Sequence, residues 1–498
     1  MQRVMGRVLA LSMVAGAVVW TGAADAQGLE FGPPTASQKK IQPAQKKPQQ
    51  VQPAALPQTQ GGQGAAAGGQ PAQGAGQAVH QALPGAEAAA QKPAAKPAAL
   101  RSAAAARSGF DEATFKPAPA SCKNTQNYDT WLSELRKEAE AEGISKRAIA
   151  IVLDGMTYDP GVIGRDRKQG IFSISFLEFS AKLATPNRVT SGRAQIAKNK
   201  ATFERAQKQF GVPASVITGF WALESDFGKG MGNLPILRSI VTLAYDCRRG
   251  PLFREEVKAA MKIIERGDMS AGEMVGSWAG EIGQTQFLPT RYLAHAIDYD
   301  GDGRSNLFSN DTDIIGSTAN YMSHLGWRPN EPWLEEVRLT AELPWDEADL
   351  AVKHPRSQWA KWGVKRADGG ALPADGMPGS LLLPMGRFGP AFLAYENFGI
   401  YLKWNQSLNY ATTAAWLATR IDGAGPMNKG SGSIPVLGPE DARELQRQLV
   451  KRGFDVGEVD GKIGAATRKA VKVMQLKFKM PADSYPTPEL LAALRSGG

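Results

Sequence analysis

Residues 27 to about 107 consist almost entirely of Ala, Gln, Pro and Gly, with almost no aromatic side chains. Such a segment cannot bury enough apolar surface to offset the entropy it would lose on ordering. The composition changes near Cys122, and 43% of the 498-residue chain is hydrophobic, which is enough for a sizeable core. The sequence therefore predicts a disordered linker over residues 27–115, followed by a folded part of roughly four hundred residues.

The excess of basic residues lies mainly outside the folded part. The chain carries 58 Lys and Arg against 48 Asp and Glu, a formal charge of +10. Residues 27–107 contribute +6 of that charge and the first 26 residues +1, so the remaining chain carries +3. A nearly balanced body lacks the basic face of a nucleic-acid binder, and we expect no nucleic acid among its partners.

Residues 1–26 are predicted to be a signal peptide. Arg3 and Arg7 precede a mostly apolar stretch from Val8 to Trp20, and small residues suit cleavage after Ala26. An uncleaved anchor is the alternative. No Cys near the cleavage site could carry a lipid anchor, and no later segment has 18 uninterrupted apolar residues. The mature chain is therefore predicted to lack a transmembrane span and to reside in the periplasm.

The chain contains two Cys, Cys122 and Cys247, and its four His occur singly. Two Cys exclude both a disulfide-dense scaffold and a multi-cysteine zinc cluster. In an oxidising compartment the pair could form a disulfide that joins the start of the folded part to its centre. Two buried free thiols are the alternative.

Most of the folded part has the periodicity of helices. Apolar residues recur at spacings of three and four over Thr130–Ala141 and Gly192–Phe210. Ala214–Glu224 is apolar almost all round, which predicts a buried helix, and Asn405–Ile421 again looks helical. Residues 334–400 are broken by Pro and Gly and show no clean periodicity. The predicted fold class is mainly α.

A linker rich in Gly and Ser, residues 425–434, precedes a small C-terminal unit over residues 434–496. The unit is predicted to contain three helices, Pro439–Lys451, Thr467–Phe478 and Pro488–Leu494. About 60 residues are marginal for an independent domain, but two long helices can bury a common core.

Glu224 is the sharpest candidate for chemistry. It lies at the end of the buried apolar helix, where desolvation disfavours the charged carboxylate. A general acid for glycosidic cleavage needs that property. The alternative is a buried Glu held by an ion pair or by backbone amides. Asp226 stands two residues further on, does not share a helical face with Glu224, and is predicted to be a turn or cap residue.

Two further segments have polar side chains suited to a ligand. In the segment from Ser277 to Pro289, two Gly would let the backbone approach a ligand, and Gln286 offers both a donor and an acceptor for sugar groups. An ordinary loop with a surface Gln is the alternative. Arg248 and Arg249 could bind carboxylates or phosphate, or could be a solvated surface pair.

The acidic segment that starts at Asp298 resembles the first half of an EF-hand loop. Oxygen ligands stand at positions one, three and five (Asp298, Asp300 and Asp302), and a Gly stands at six. Ser309 occupies position twelve, where a bidentate Glu is expected, so Asp311 or Asp313 would have to serve. We predict a bound Ca²⁺. A Gly-rich turn with no ion is the alternative.

Taken in order, these motifs resemble a known family. The LESDFG segment, AGEIGQTQFLP, and DYDGDGR followed by IIGSTANYMSHLGW are similar to the lytic murein transglycosylase B family. The resemblance covers residues 120–425. Residues 434–496 resemble the peptidoglycan-binding domain 1 family through LQRQLVKRGFDVGEVDGKIGAATRKAVKVMQ.

The resemblance implies a lysozyme-like catalytic domain followed by a three-helix wall-binding domain. It implies cleavage of the β-1,4 bond between N-acetylmuramic acid and N-acetylglucosamine, with 1,6-anhydromuramic acid ends. Glu224 would be the single catalytic acid and base, no cofactor would be required for the chemistry, and the Ca²⁺ would be structural. The implied partners are peptidoglycan glycan strands and, beyond them, cell-wall synthesis or remodelling proteins.

The resemblance also implies roles for other residues. A basic pair would lie near the peptide-bearing side of the substrate, and Glu281, which stands where some members have a neutral residue, is a candidate helper. The saccharide groove would be lined by Ser277, Gln286, Tyr321, Asn405 and Tyr410. The basic pair would be Arg248 and Arg249. The calcium loop would comprise Asp298, Asp300, Asp302, Arg304 through its carbonyl, and Asp313.

Two other functions remain open from the sequence. One is a lysozyme-type hydrolase that uses Glu224 together with Glu281 or Asp226, since ordinary glycosidases need a second carboxylate. The other is a wall-binding protein without catalytic activity.

Overall fold

The computed structural model describes residues 115, 117–118, 121–167 and 174–497. The predicted signal peptide and all but the last residue of the predicted linker lie outside the described residues. Within the described part, no helix is long and apolar enough to cross a membrane.

Helices dominate the described chain, which confirms the predicted fold class. The helices before the first long loop are α1 Tyr128–Ala141, α2 Lys146–Leu153, α3 Pro160–Arg167, α4 Phe176–Leu183, α5 Pro186–Lys198, α6 Lys200–Phe210, α7 Ala214–Ser225, α8 Ile236–Tyr245 and α9 Gly250–Arg266. Those that follow are α10 Pro289–His295, α11 Asp311–His324, α12 Arg356–Lys361, α13 Phe398–Trp404, α14 Leu408–Ile421, α15 Pro439–Lys451, α16 Ala465–Lys477 and α17 Pro488–Arg495.

Helix α7 lies at the centre of the larger body of the chain, residues 121–421, which is called the catalytic body below, and its predicted burial is confirmed. Every residue from Ser215 to Ser225 is buried. The helix packs closely on α14, because a side chain added at Gly219 would come within 3.3 Å of the Cβ of Ala418. The prediction of one helix over Gly192–Phe210 is wrong in detail, since Asn199 separates α5 from α6 with a φ of −107°.

The sequence reasoning missed a five-stranded sheet. Its strands occupy the stretch that shows no clean periodicity. They are β3 Leu334–Leu339, β4 His354–Pro355, β5 Val364–Arg366, β6 Pro378–Leu382 and β7 Ala391–Ala394. All pairs are antiparallel, in the order β4-β6-β7-β3-β5. A second, two-stranded pairing joins β1 Leu234–Pro235 to β2 Val275–Gly276. It anchors the start of the segment that carries Ser277.

The C-terminal unit has its own apolar core, as its two long helices predict. Leu445 and Leu449 of α15 pack with Val471 and Met474 of α16, and α17 closes the core through Leu490. The unit also contacts the larger body, since Arg468 donates to the carbonyl of Leu383 at 2.7 Å and Asp483 pairs with Arg387 at 3.3 Å.

Candidate active site

Glu224 lies in the last turn of α7 and is 1% exposed. The helix ends immediately after it, because Asp226 and Phe227 have φ values of 50° and 58°, in the left-handed region. Asp226 faces away towards cations, with its Oδ1 3.5 Å from Nε of Arg188 and its Oδ2 3.9 Å from Nζ of Lys229. It therefore terminates the helix, as predicted.

The two oxygens of the Glu224 carboxyl have different surroundings. Oε1 accepts a hydrogen bond from Nε1 of Trp404 at 2.8 Å and another from the hydroxyl of Tyr410. Oε2 is buried and has no hydrogen-bond partner among the described residues. One oxygen is thus fixed in place by the protein, and the other is left for a proton and a ligand.

Burial keeps this carboxyl protonated at neutral pH. Desolvation is the largest cause that raises the pKa of Glu224, to about 8. The hydrogen bonds from Tyr410 and Trp404 and the charge of Arg291 lower it, while the negative charge of Glu281 raises it further. A carboxyl with this pKa can donate a proton where an ordinary Glu is ionised.

The segment after β2 folds back tightly and places two polar side chains in the interior. Ser277 donates from Oγ to Oε2 of Glu281 at 2.8 Å. Gln286, with a φ of 51°, donates from Nε2 to the carbonyl of Gly283 at 2.7 Å, while its Oε1 has no partner among the described residues. Gln286 is fully buried, so the alternative of a surface Gln is wrong.

Arg248 and Arg249 are buried as well, and the alternative of a solvated surface pair is wrong. They are 2% and 1% exposed. Asp166, at the end of α3, accepts from both guanidinium groups, from Nη1 of Arg248 at 2.9 Å and from Nη2 of Arg249. Asp166 was not predicted, because no motif surrounds it.

Aromatic rings form one wall of the site, and several of them were not predicted. The ring of Tyr321, a predicted groove residue, lies 5.2 Å from that of Trp404 and 5.4 Å from that of Phe287. Asn405 is 5% exposed, and its Oδ1 accepts from the backbone amide of Ser407. Trp404, which directly precedes the predicted Asn405 and donates to the acid, was not predicted.

The acidic loop brings three of its predicted ligands together. Carboxylate oxygens of Asp298, Asp300 and Asp302 lie within 4.8 Å of one another and are exposed. Asp313 is fully buried, and its two oxygens accept from the backbone amides of Tyr299 and Asn306, each at 2.7 Å. These two hydrogen bonds stabilise the backbone of the loop, and Asp313 is not part of the three-carboxylate cluster.

Among the remaining predicted residues, Arg304 and the two Cys have partners other than the acid. The side chain of Arg304 pairs with Glu273 at 2.9 Å. Cys122 and Cys247 stand at bonding distance, with 2.05 Å between the sulfurs. This disulfide joins the segment before α1 to Cys247, the residue directly before Arg248.

The helical fold contains a buried acid carboxyl with one unsatisfied oxygen, held by Trp404 and Tyr410. These features define the class of lysozyme-like enzymes that act on glycan chains. A model of the Transglycosylase SLT domain matches residues 127–419, and one of the Putative peptidoglycan binding domain matches residues 438–494. The chain belongs to the Transglycosylase SLT domain family and carries a peptidoglycan-binding domain, which confirms the resemblance seen in the motifs.

Known proteins are similar over most of the described chain. SltB3 from Pseudomonas aeruginosa, solved in complex with NAG-anhNAM-pentapeptide, is 40% identical, with a TM-score of 0.68 over 74% of this chain and 100% of that one. Escherichia coli lytic transglycosylase Slt35, solved with calcium, is 26% identical, with a TM-score of 0.51 over 60% of this chain and 93% of its own.

A curated relative is the membrane-bound lytic murein transglycosylase B of Escherichia coli. It is 28% identical over 243 residues, which are 49% of this chain and 66% of that protein.

Proposed function

We propose that this protein is a lytic transglycosylase that cleaves the β-1,4 bond between N-acetylmuramic acid and N-acetylglucosamine and leaves 1,6-anhydromuramic acid ends. The observation that carries the proposal is Oε2 of Glu224, a buried oxygen with no hydrogen-bond partner among the described residues, on a carboxyl whose pKa is raised by burial to about 8. SltB3, 40% identical, was solved with a ligand that carries an anhydro sugar.

Glu224 acts twice in the proposed reaction. Its Oε2 proton passes to the glycosidic oxygen as the bond from that oxygen to C1 of the muramic acid breaks. The resulting carboxylate then takes the proton of the C6 hydroxyl while O6 bonds to C1. Since the nucleophile is part of the same sugar, no second carboxylate is needed to activate water, and ring closure has an entropic advantage.

Tyr410 and Trp404 serve the second half of the reaction. Both donate to Oε1, and such bonds favour the charged form. They stabilise the carboxylate that exists between the two proton transfers. Their geometry is fixed before substrate arrives, which is the condition for electrostatic stabilisation of a charged intermediate.

The surroundings of the other two carboxyl groups disfavour the hydrolase alternative. Asp226 pairs with Arg188 and Lys229 beyond the end of α7. Glu281 is fully buried and accepts from Ser277. A carboxylate that is already held by cations, or buried on a serine, is poorly placed to activate a water molecule.

Mass spectrometry of the muropeptides released from sacculi tests the reaction. We expect anhydro ends, one water lighter than hydrolysis products, and the proposal fails if all ends are hydrated. Glu224→Gln should keep the fold and reduce the rate by about 10²–10⁴-fold. Asp226→Asn is the matched control and should stay near wild type, whereas the hydrolase alternative that uses Asp226 predicts a comparable loss.

We also propose a structural Ca²⁺ at Asp298, Asp300 and Asp302, and Slt35 was solved with calcium. Three exposed carboxylates within 4.8 Å repel one another unless a cation neutralises them. Saturating Ca²⁺ should therefore raise the melting temperature relative to EGTA, equivalent to about 3 kcal/mol at a hundredfold excess over Kd. Asp298→Asn should abolish the response and Glu273→Gln should keep it; no response in the wild type would contradict the site.

The proposed location is the periplasm, after removal of residues 1–26, with the C-terminal domain holding the enzyme on the wall. Deletion of residues 434–498 should reduce sedimentation with purified sacculi, because the peptidoglycan-binding domain is then missing. Unchanged sedimentation, with the catalytic body still folded by circular dichroism, would refute this role.

A further inference from the structure

The segment after β2 encloses a second carboxyl group. Glu281 is fully buried. Oγ of Ser277 donates to its Oε2 at 2.8 Å and accepts from its backbone amide at 3.3 Å. The side chain is therefore held by a residue only four positions earlier in the same loop.

The loop has no room in which to relax around Glu281. A side chain at Gly276 would come within 2.3 Å of the carbonyl oxygen of Glu281, and one at Gly280, where φ is +83°, within 2.0 Å of Cγ2 of Ile240. Reciprocal backbone bonds between Ile282 and Phe287, at 2.7 and 3.1 Å, close the turn beyond it. The position of the carboxylate is thus fixed by backbone packing.

Charged groups face this carboxylate and Glu224 from several elements. On the Glu281 side, Arg249 attracts its negative charge, and Arg249 also bonds to Asp166 together with Arg248. On the Glu224 side stand Tyr410 and Trp404, which donate to Oε1, and Arg291 of α10.

The Glu281 loop also packs against the surroundings of the acid. Nε1 of Trp221 on α7 donates to Oε1 of Gln284 at 2.7 Å, and the ring of Phe287 lies 5.9 Å from that of Trp404, which donates to Glu224. From this loop Glu281 brings negative charge close to Glu224.

We propose that Glu281, locked by Ser277 and accompanied by Arg249, is a positioning residue whose fixed negative charge keeps the catalytic proton on Glu224 until substrate binds. The inference rests on the proposed function, in which Glu224 must enter each turnover protonated. Two neighbouring carboxyl groups in a desolvated site cannot both be ionised without a large free-energy cost. Because Ser277 and Arg249 favour the charged form of Glu281, the proton stays on Glu224.

The test is the pH profile of kcat/KM on solubilised glycan strands. Glu281→Gln is nearly isosteric, and its amide oxygen can still accept from Ser277. We expect the high-pH limb, the range in which kcat/KM falls with rising pH, to move to lower pH by about one unit. At pH values below this limb, kcat/KM should stay within about threefold of wild type. The products should still carry anhydro ends. Glu336→Gln is the control. Glu336 is partly buried in β3, accepts from Asn428 and should leave the profile unmoved.

An unmoved limb in folded Glu281→Gln would overturn the proposal, as would activity lost at every pH. If that variant does not fold, Glu281→Asp decides, because it keeps the charge. Its limb should stay at the wild-type pH even where the rate falls, and a limb shifted downward would overturn the proposal. Hydrated products from the wild type would instead refute the proposed function, whatever the profile.

Discussion

At the scale of single residues, the ionisation of Glu224 sets the pH range of the enzyme. The pKa of about 8 belongs to a group that must be protonated to start the reaction. Activity is therefore present below that pH and lost as pH rises through it. We expect kcat/KM to fall about tenfold per pH unit above the limb, and a limb near the ordinary pKa of Glu would contradict the desolvation argument.

Tyr410 should move that limb in the opposite direction from Glu281. Its hydroxyl bond favours the charged carboxylate, so Tyr410→Phe should raise the pKa of Glu224 and shift the limb upward by about one unit. The rate should also fall, because the carboxylate intermediate loses a donor. Tyr401→Phe is the matched control, since Tyr401 is equally buried and its hydroxyl has no partner among the described residues. Equal shifts in both variants would refute the role of the hydroxyl.

Glu224 was predictable from its own segment, whereas its partner Tyr410 came only from the resemblance and Trp404 was not predicted, for a physical reason. An acid at the end of a wholly apolar helix is visible in one short segment. Trp404 and Asp166 act on the site across 180 and 83 positions of sequence, respectively, the latter through Arg249. Such pairings depend on tertiary packing that no local spacing encodes. Residue chemistry indicated Gln286, the resemblance supplied the other groove residues, and neither predicted Trp404 or Asp166.

At the scale of elements, the loop between β2 and α10 depends on glycines that cannot be replaced. Gly280→Ala would meet Ile240 as well as adopt an unfavourable φ, and we expect unfolding to become easier by about 3 kcal/mol or more. Gly267→Ala, with a φ of +77° and nothing within 4 Å, should cost only about 1 kcal/mol. Denaturant titration measures both. Equal losses would show that the backbone angle, and not the tight packing, governs the loop.

The helices were predictable and the sheet was not, because the two leave different traces. Helix α7 is long and apolar on every side, and α15 matches its predicted bounds. Strand β7 has four residues, all buried, and β6 begins with Pro and Gly. Short strands without alternation cannot be distinguished from loop fragments, so the five-stranded sheet emerges only from its pairing.

At the scale of the whole molecule, the wall-binding unit is docked on the catalytic body. Arg468 of α16 donates to the carbonyls of Leu383 and Pro384, at 2.7 and 3.3 Å. Ion pairs join Lys472 to Asp349 at 3.0 Å and Arg387 to Asp483 at 3.3 Å. The linker is held too, since the amide of Ser431 donates to the carbonyl of Phe388. These contacts therefore hold the C-terminal unit in one position on the catalytic body.

Arg468 should contribute most to this docking, because its side chain is partly buried and donates to two carbonyls of the body. Desolvation also lowers its pKa. Arg468→Ala should weaken the docking by about 2 kcal/mol and speed protease cleavage of the linker at 425–434 by more than tenfold. Lys469→Ala is the control, since Lys469 is the next residue along the chain and its side chain is exposed. The linker of this variant should be cleaved at the wild-type rate. Sacculus binding should persist in both variants, because neither removes the wall-binding core. Unchanged cleavage in Arg468→Ala would mean that the two ion pairs alone hold the units together.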